Sequence, residues 1–114
     1  MIKEFSIHQP NKPEVGKLYY DTEKREFELE VYPNDNHMNV TFLMGILLEQ
    51  KRYRVGHELA ICFVRERLIP PNRQNISQIL ADLDMPYYDE CLFLERLHGR
   101  CVMDNFLIEP LYEC

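Results

Sequence analysis

Strict alternation over residues 26–32 (Glu-Phe-Glu-Leu-Glu-Val-Tyr) constrains the fold more than any other feature of the sequence. Phe27, Leu29 and Val31 share one parity, and three glutamates share the other. Because successive side chains of a strand point to opposite faces, this pattern predicts a strand with one packed face and one wet, acidic face. That arrangement is typical of an antiparallel sheet that is covered on one side only.

Two shorter strands are predicted before this one, at residues 2–8 and 17–21. The segment between them, residues 9–13, contains two prolines and reads as a loop. Residues 21–25 are polar and predict a turn into the alternating strand. We therefore expect an antiparallel three-stranded meander at the start of the chain.

The hydrophobic period changes to a helical one in the middle of the chain, where four helices are predicted. They are expected over about 38–51, over 57–68, over 76–83, and from a capping Asp89 to a C-terminal Gly99. The first of these is apolar on most sides, which predicts deep burial, and its Gly45 predicts close packing against another element. The tail, residues 101–109, predicts a strand or a hairpin that turns at Asp104-Asn105.

Strands that are followed by helices, instead of alternating with them, favour an α+β fold. The length, 114 residues, suits a single domain, which we assign to residues 1–114. The expected order is the N-terminal meander, a four-helix middle and a C-terminal strand or hairpin.

Two consecutive prolines, Pro70 and Pro71, mark the best-defined joint between helices. Proline disfavours helical geometry in the residue before it, so the second helix should stop near Leu68 or Ile69. Asn75 is predicted to cap the next helix, with Gln78 completing a capping box.

Composition and charge restrict the possible functions. The formal net charge is −6, which makes binding of nucleic acid unlikely. No signal peptide and no apolar run of membrane-spanning length is predicted. Without a secretory signal, the four cysteines (Cys62, Cys91, Cys101 and Cys114) read as reduced thiols, and a cytoplasmic location is expected.

No pattern in the sequence predicts catalysis, a metal or a cofactor. Four scattered glycines cannot build a phosphate-binding loop. The spacing of Cys91, His98 and Cys101 matches no common zinc pattern. Pairs such as His57 with Cys62 arise by chance in a chain with four of each residue, so a non-enzymatic protein is expected.

Three regions could contact a partner. Arg65, Arg67 and Arg73 surround the proline joint, and their guanidinium groups could grip carboxylates or phosphates; we call these three residues the arginine corner. The acidic face of the alternating strand is a second region. The third is the basic connector, which consists of Lys51, Arg52, Tyr53 and Arg54 and could contact nucleic acid.

Three stretches resemble the N-terminal subdomain of HipA-type toxin–antitoxin kinases. They are Arg65-Glu-Arg-Leu-Ile-Pro-Pro, Asp89-Glu-Cys-Leu-Phe-Leu and Gly99-Arg-Cys-Val-Met. Val15-Gly-Lys-Leu-Tyr and the alternating strand are similar to the strands that begin that subdomain.

The resemblance implies a subdomain without the kinase core that binds ATP. It also implies an antitoxin-like regulator that docks on a separate kinase and restrains it. The implied contact surface is the arginine corner together with Arg100 of the Gly99-Arg100 turn.

Small size, net acidity and the lack of a catalytic motif fit two other functions. One is a protein encoded by a phage or mobile element that inhibits a nucleic-acid-binding enzyme of the host. The other is a small nucleic-acid-binding module that uses the basic connector, whose affinity would fall steeply with salt.

Overall fold

A five-stranded antiparallel sheet forms one layer of the molecule. The computed structural model describes residues 1–33, 40–101 and 104–112. The strands lie side by side in the order β4-β3-β2-β1-β5. They are β1 (Ile2–His8), β2 (Gly16–Asp21), β3 (Glu26–Val31), β4 (Arg54–Val55) and β5 (Leu107–Pro110). The predicted α+β class and the N-terminal meander are therefore confirmed.

Helices form the second layer, on one face of the sheet. They are α1 (Phe42–Glu49), α2 (His57–Arg65), α3 (Ile76–Asp82) and α4 (Glu90–Leu97). Met44 of α1, Phe63 of α2 and Leu94 of α4 are fully buried against strand residues of one parity, such as Leu18 and Leu29. α3 lies at the margin of this layer and has no buried residue. None of these helices is long and apolar enough to cross a bilayer.

The alternation that predicted β3 is observed in its burial. Phe27, Leu29 and Val31 lie in the core, while Glu26, Glu28 and Glu30, which alternate with them, point to the opposite face. The predicted turn before β3 is also present. The Asp21 carboxylate accepts hydrogen bonds from the backbone N–H groups of Glu23 and Lys24 at 2.9 and 3.2 Å, which closes the turn.

The sequence did not predict β4, which pairs Arg54 with Glu30 and Val55 with Leu29. Two residues are too few to show a periodic pattern, so the sequence predicts only the basic connector at this position. Beyond β4, the backbone N–H of Phe27 donates to Nδ1 of His57 at 2.9 Å. The imidazole nitrogen thus accepts the hydrogen bond that a backbone carbonyl of a neighbouring strand would otherwise accept.

The C-terminal segment forms a strand, not a hairpin that turns at Asp104-Asn105. β5 pairs with β1, and Cys101 and Asp104 form an isolated antiparallel bridge before it. The N–H of Ile108 donates to the carbonyl of His98 at 2.7 Å, which ties β5 to the end of α4.

Helix α1 differs from the prediction in its packing. It begins after Thr41, whose hydroxyl accepts from the N–H of Met44; the predicted start at residue 38 lies outside the described residues. Met44, Leu47 and Leu48 are buried, as predicted for this helix, but Phe42 is 87% exposed, so the burial does not extend to that side. Among the described residues outside the helix's own backbone, a β-carbon on Gly45 would meet no atom nearer than Val40 Cγ2 at 3.8 Å, so the predicted close packing at Gly45 is not observed there.

The joint between α2 and α3 follows the sequence only in part. α2 ends at Arg65, and a hydrogen-bonded turn continues to Leu68, where the stop was predicted. The predicted cap of α3 is wrong: Asn75 has φ −105° and ψ 27°, and its side chain accepts no capping bond. Gln78 donates to Asp82 at 2.8 Å instead of completing a box.

Both predicted ends of α4 are confirmed. The Asp89 carboxylate accepts from the N–H of Leu92 at 3.0 Å, as an N-cap does. Gly99 follows the helix with φ +66°, in the left-handed region that favours glycine.

Candidate functional site

The arginine corner is not one surface, because Arg67 lies inside the fold. Its side chain is only 4% exposed. Its Nε donates to the carbonyl of Gly99 at 2.7 Å, and its Nη1 and Nη2 donate to the two oxygens of Asp104 at 3.0 and 2.6 Å. Nη2 also donates to the carbonyl of Phe106 at 3.1 Å.

Arg67 is therefore an internal anchor, and its assignment as a residue that contacts a partner is wrong. A fork of guanidinium N–H groups suits such a position, because one side chain satisfies two carbonyls and one carboxylate. The hydrogen bonds from Arg67 lower the pKa of Asp104, against the opposing effect of burial, so the Asp104 carboxylate is ionised at neutral pH.

The other predicted contact arginines are exposed. Arg65 forms an ion pair with Glu90 at 3.6 Å, and its side chain remains 67% exposed. Arg73 lies in the turn after the prolines, and Arg100 follows Gly99. Arg65, Arg73 and Arg100 thus remain available to a partner.

The three stretches that resemble the kinase subdomain contact one another. Arg67 of the first stretch holds Gly99 of the third, and Arg65 pairs with Glu90 of the second. Beside them, the Tyr88 hydroxyl donates to the carbonyl of Ile69 at 2.6 Å. Val102 and Met103 of the third stretch lie outside the described residues. The resemblance therefore falls on one contiguous unit of the fold.

The basic connector is divided between two environments. Lys51 and Arg52 are exposed in the turn after α1. Tyr53 is partly exposed, and its carbonyl accepts from the N–H of Val31 at 2.8 Å. Arg54 lies in β4, where its Nε and Nη2 each donate to Glu28 at 2.8 Å. Its guanidinium pairs with a carboxylate, whereas the side chains of Lys51 and Arg52 make no hydrogen bond or ion pair to a described residue.

The face of the sheet opposite the helices is open, and we call it the open sheet face. Phe5, Leu18, Leu29, Val55 and Ile108 point into the core, so the strand residues of this face are those of the opposite parity, most of which are polar. The cross-strand pairing aligns them in rows. One row crosses all five strands and consists of Glu109, Ser6, Lys17, Glu30 and Arg54.

Acidic residues predominate on the open sheet face. Among the strand residues of this face, six carboxylates and two permanent cations leave four net negative charges, while the whole chain has a formal net charge of −6. The carboxylates are Glu4, Asp21, Glu26, Glu28, Glu30 and Glu109, and the cations are Lys17 and Arg54. The sequence predicted only the β3 part of this face; the period-two patterns of β1 and β2 were the signal for Glu4 and Asp21.

Several of these groups hold one another in place. Glu4 pairs with Lys17 at 3.7 Å, and the Tyr19 hydroxyl donates to Glu30 at 2.6 Å. Burial and that hydrogen bond raise the pKa of Tyr19 to about 12. The hydrogen bond from Arg54 lowers the pKa of Glu28, so this carboxylate stays charged well below neutral pH.

A hollow of about 380 Å³ indents one end of the open sheet face. Its lining includes Ile2, Tyr19, Asp21, Lys24, Glu26, Glu28 and Arg54. The guanidinium of Arg54 lies over the ring of Tyr19, 4.9 Å from its centroid, while it pairs with Glu28.

The cysteines in the described part of the chain are free thiols in different environments. Burial raises the pKa of Cys91 to about 12, which keeps it a neutral thiol. Cys62 is exposed and Cys101 is half-buried, while Cys114 lies outside the described residues. Within the described ranges, no three His, Cys, Asp or Glu side chains are placed to hold a metal ion.

Comparisons with protein-family models, with curated proteins and with solved structures find no match to this chain. The assignment of a function therefore depends on the chain's own residues.

Proposed function

We propose that this protein is a non-catalytic, antitoxin-like regulator that docks on a HipA-type kinase and restrains it. The observation that carries the proposal is the contact among the three stretches that resemble the kinase subdomain. Arg67 at its centre holds the loop after α4 through Gly99 and Asp104. Residues that keep such a unit folded are the ones that a free-standing subdomain would need to retain.

The surface of this unit offers cations for contact with a kinase. Arg73 and Arg100 are exposed, and no hydrogen bond or ion pair to a described residue engages either side chain. Arg65 forms an ion pair with Glu90 at 3.6 Å. Such a long, solvent-accessible pair is weak, so Arg65 can leave Glu90 and bind a carboxylate of the partner instead.

Binding to a purified HipA-type kinase encoded beside this chain tests the proposal. We expect a stable complex in biolayer interferometry and a slower autophosphorylation of the kinase. The double variant Arg73→Glu with Arg100→Glu should weaken binding by about tenfold or more, because it reverses two contact charges. Arg52→Glu, on the basic connector, is the matched control and should bind like the native chain.

The outcomes separate the function from the placement of its contacts. No complex with the kinase, or no kinase gene beside this one, would refute the antitoxin-like function. A complex that the double variant forms as tightly as the native chain would instead refute the assignment of Arg73 and Arg100.

A second function is favoured by the open sheet face. Its four net negative charges suit a protein that occupies the basic surface of a nucleic-acid-binding enzyme, as a phage-encoded inhibitor would. In a gel-shift assay, an inhibitor of this kind would release nucleic acid from such an enzyme without binding nucleic acid itself.

A further inference from the structure

We propose that the open sheet face is a docking surface for a basic protein, and that its hollow receives an arginine side chain of that partner. The inference rests on the proposed role in protein binding, but not on the identity of the kinase. It also places this contact on the layer opposite the exposed arginines.

The open sheet face is suited to docking by its architecture. α1, α2 and α4 all pack on the other side, and among the described residues no helix covers this one. The strands beneath it are joined by complete backbone ladders, from Ile2 paired with Asp21 to Ile7 paired with Gly16. A platform of this kind presents its side chains with little loss of conformational freedom on binding.

Arg54 shows how the hollow binds a guanidinium group. Within the chain, Arg54 makes two parallel hydrogen bonds to Glu28 and stacks on Tyr19. Both contacts are the ones by which proteins select arginine over lysine.

A second acceptor stands in the same hollow. The Glu26 carboxylate is exposed and has no hydrogen bond or ion pair to any described residue. Ile2, which is 55% exposed, also lines the hollow, two strands away across Asp21, and supplies apolar contact. An arginine side chain that enters can lay its aliphatic stem on Ile2 and direct its guanidinium to Glu26.

The charge of the face defines the rest of the partner surface. Glu4 and Glu109 lie on β1 and β5, away from the hollow, and their partners Lys17 and His8 leave them partly exposed. Cationic groups on both sides of the inserted arginine would complement them. The partner is therefore a protein surface rich in arginine and lysine, not nucleic acid, which the same charges repel.

The test compares two triple variants that remove equal charge from opposite sides of the molecule. The face variant is Glu4→Gln with Glu26→Gln and Glu109→Gln. The control variant is Glu49→Gln with Glu58→Gln and Glu66→Gln, all exposed positions of the helical layer. Circular dichroism verifies that both remain folded.

The probe is a fluorescein-labelled deca-arginine peptide, followed by fluorescence anisotropy at physiological ionic strength. We expect the face variant to bind about tenfold more weakly than the native chain, since each exposed charge pair contributes roughly a factor of two. The control variant should bind within about twofold of the native chain.

If both variants bind the peptide equally more weakly than the native chain, the proposal is overturned, because the affinity would then depend on net charge alone. Failure of the native chain to bind the peptide would overturn it as well. The kinase assay reports separately: if the native chain captures no kinase but the peptide discriminates the two variants, the antitoxin-like function fails and this inference stands.

Discussion

Replacing Arg67 by methionine tests whether this arginine is an internal anchor. Methionine keeps an unbranched, flexible stem of similar reach but has no donor for Gly99, Asp104 or Phe106. The carbonyls of Gly99 and Phe106 and Oδ2 of Asp104 would lose this donor at once, while Oδ1 of Asp104 would keep the backbone N–H of Phe106. Arg65→Met is the matched control, because Arg65 is exposed and lies only two positions earlier.

The expected loss follows from the burial of the pair. Breaking a buried ion pair by removing one partner costs about 3–5 kcal/mol. Asp104 keeps 26% of its side chain exposed, so water can solvate part of its charge and the lower end applies. We expect a loss of about 3 kcal/mol in the free energy of unfolding, or a fall of about 12 °C in Tm. For Arg65→Met we expect a loss of at most about 0.5 kcal/mol.

Urea unfolding followed by far-UV circular dichroism measures both variants, since the chain contains no tryptophan. Adding Asp104→Asn to Arg67→Met should restore about half of the loss, because the remaining buried group is then neutral. If the free energy of unfolding of Arg67→Met lies within about 1 kcal/mol of that of the native chain, the assignment of Arg67 as an anchor is wrong.

The same pair gives a pH dependence with a defined sign. The folded-state pKa of Asp104 is lowered by Arg67, so the folded chain binds fewer protons there than the unfolded chain. The ionised Asp104 therefore stabilises the fold fully above the ordinary pKa of 3.8. This stabilisation is lost as the pH falls through the lowered pKa of the folded state. The gap in stability between the native chain and Arg67→Met should be widest near neutral pH and should narrow below about pH 4.

Three further substitutions test local features of the fold. Gly45→Ala is expected to stabilise the chain by about 0.5–1 kcal/mol in urea unfolding, because alanine favours the helix and the nearest described atom outside the helix backbone lies 3.8 Å from the new β-carbon. A loss of stability would show crowding at this position. Gly99→Ala is expected to destabilise by about 3 kcal/mol, because φ is +66° and the β-carbon would lie 2.7 Å from Ile108; an unchanged Tm would contradict this. His57→Phe keeps a ring against Phe27 but removes the acceptor of the Phe27 N–H. We expect a loss of about 1–2 kcal/mol in the free energy of unfolding and faster hydrogen exchange at the Phe27 amide. Unchanged protection of that amide would refute the role of His57.

The sequence predicted most of the regular structure because local patterns determine it. The alternation around Leu29 defined β3, and Asp89 and Gly99 marked the two ends of α4. The prediction failed at Asn75, whose residue type favours a cap but whose ψ of 27° is not the extended conformation that a cap requires. Residue type alone does not report that angle.

The position of Arg67 could not be predicted from its own type, since arginine is seldom buried unless it is paired. Its acceptors Gly99, Asp104 and Phe106 are at least 32 residues away in the chain. One signal was present: Arg67 lies seven residues after Ala60, on the same stripe as buried Phe63 and Val64. A charged residue on an apolar stripe indicates a buried partner elsewhere, and that rule would have separated Arg67 from its exposed neighbours.

The two histidines that border the sheet also bear on how the protein behaves at high concentration. An unpaired outer strand can recruit a strand from another molecule and start aggregation. Here β4 has only two residues, and His57 occupies the next N–H along β3. On the other side, His98 takes the N–H of Ile108, and Pro110 has no N–H to offer. Both margins of the sheet are thus closed to strand addition, so partners must bind to its surfaces, and the chain should resist fibril formation.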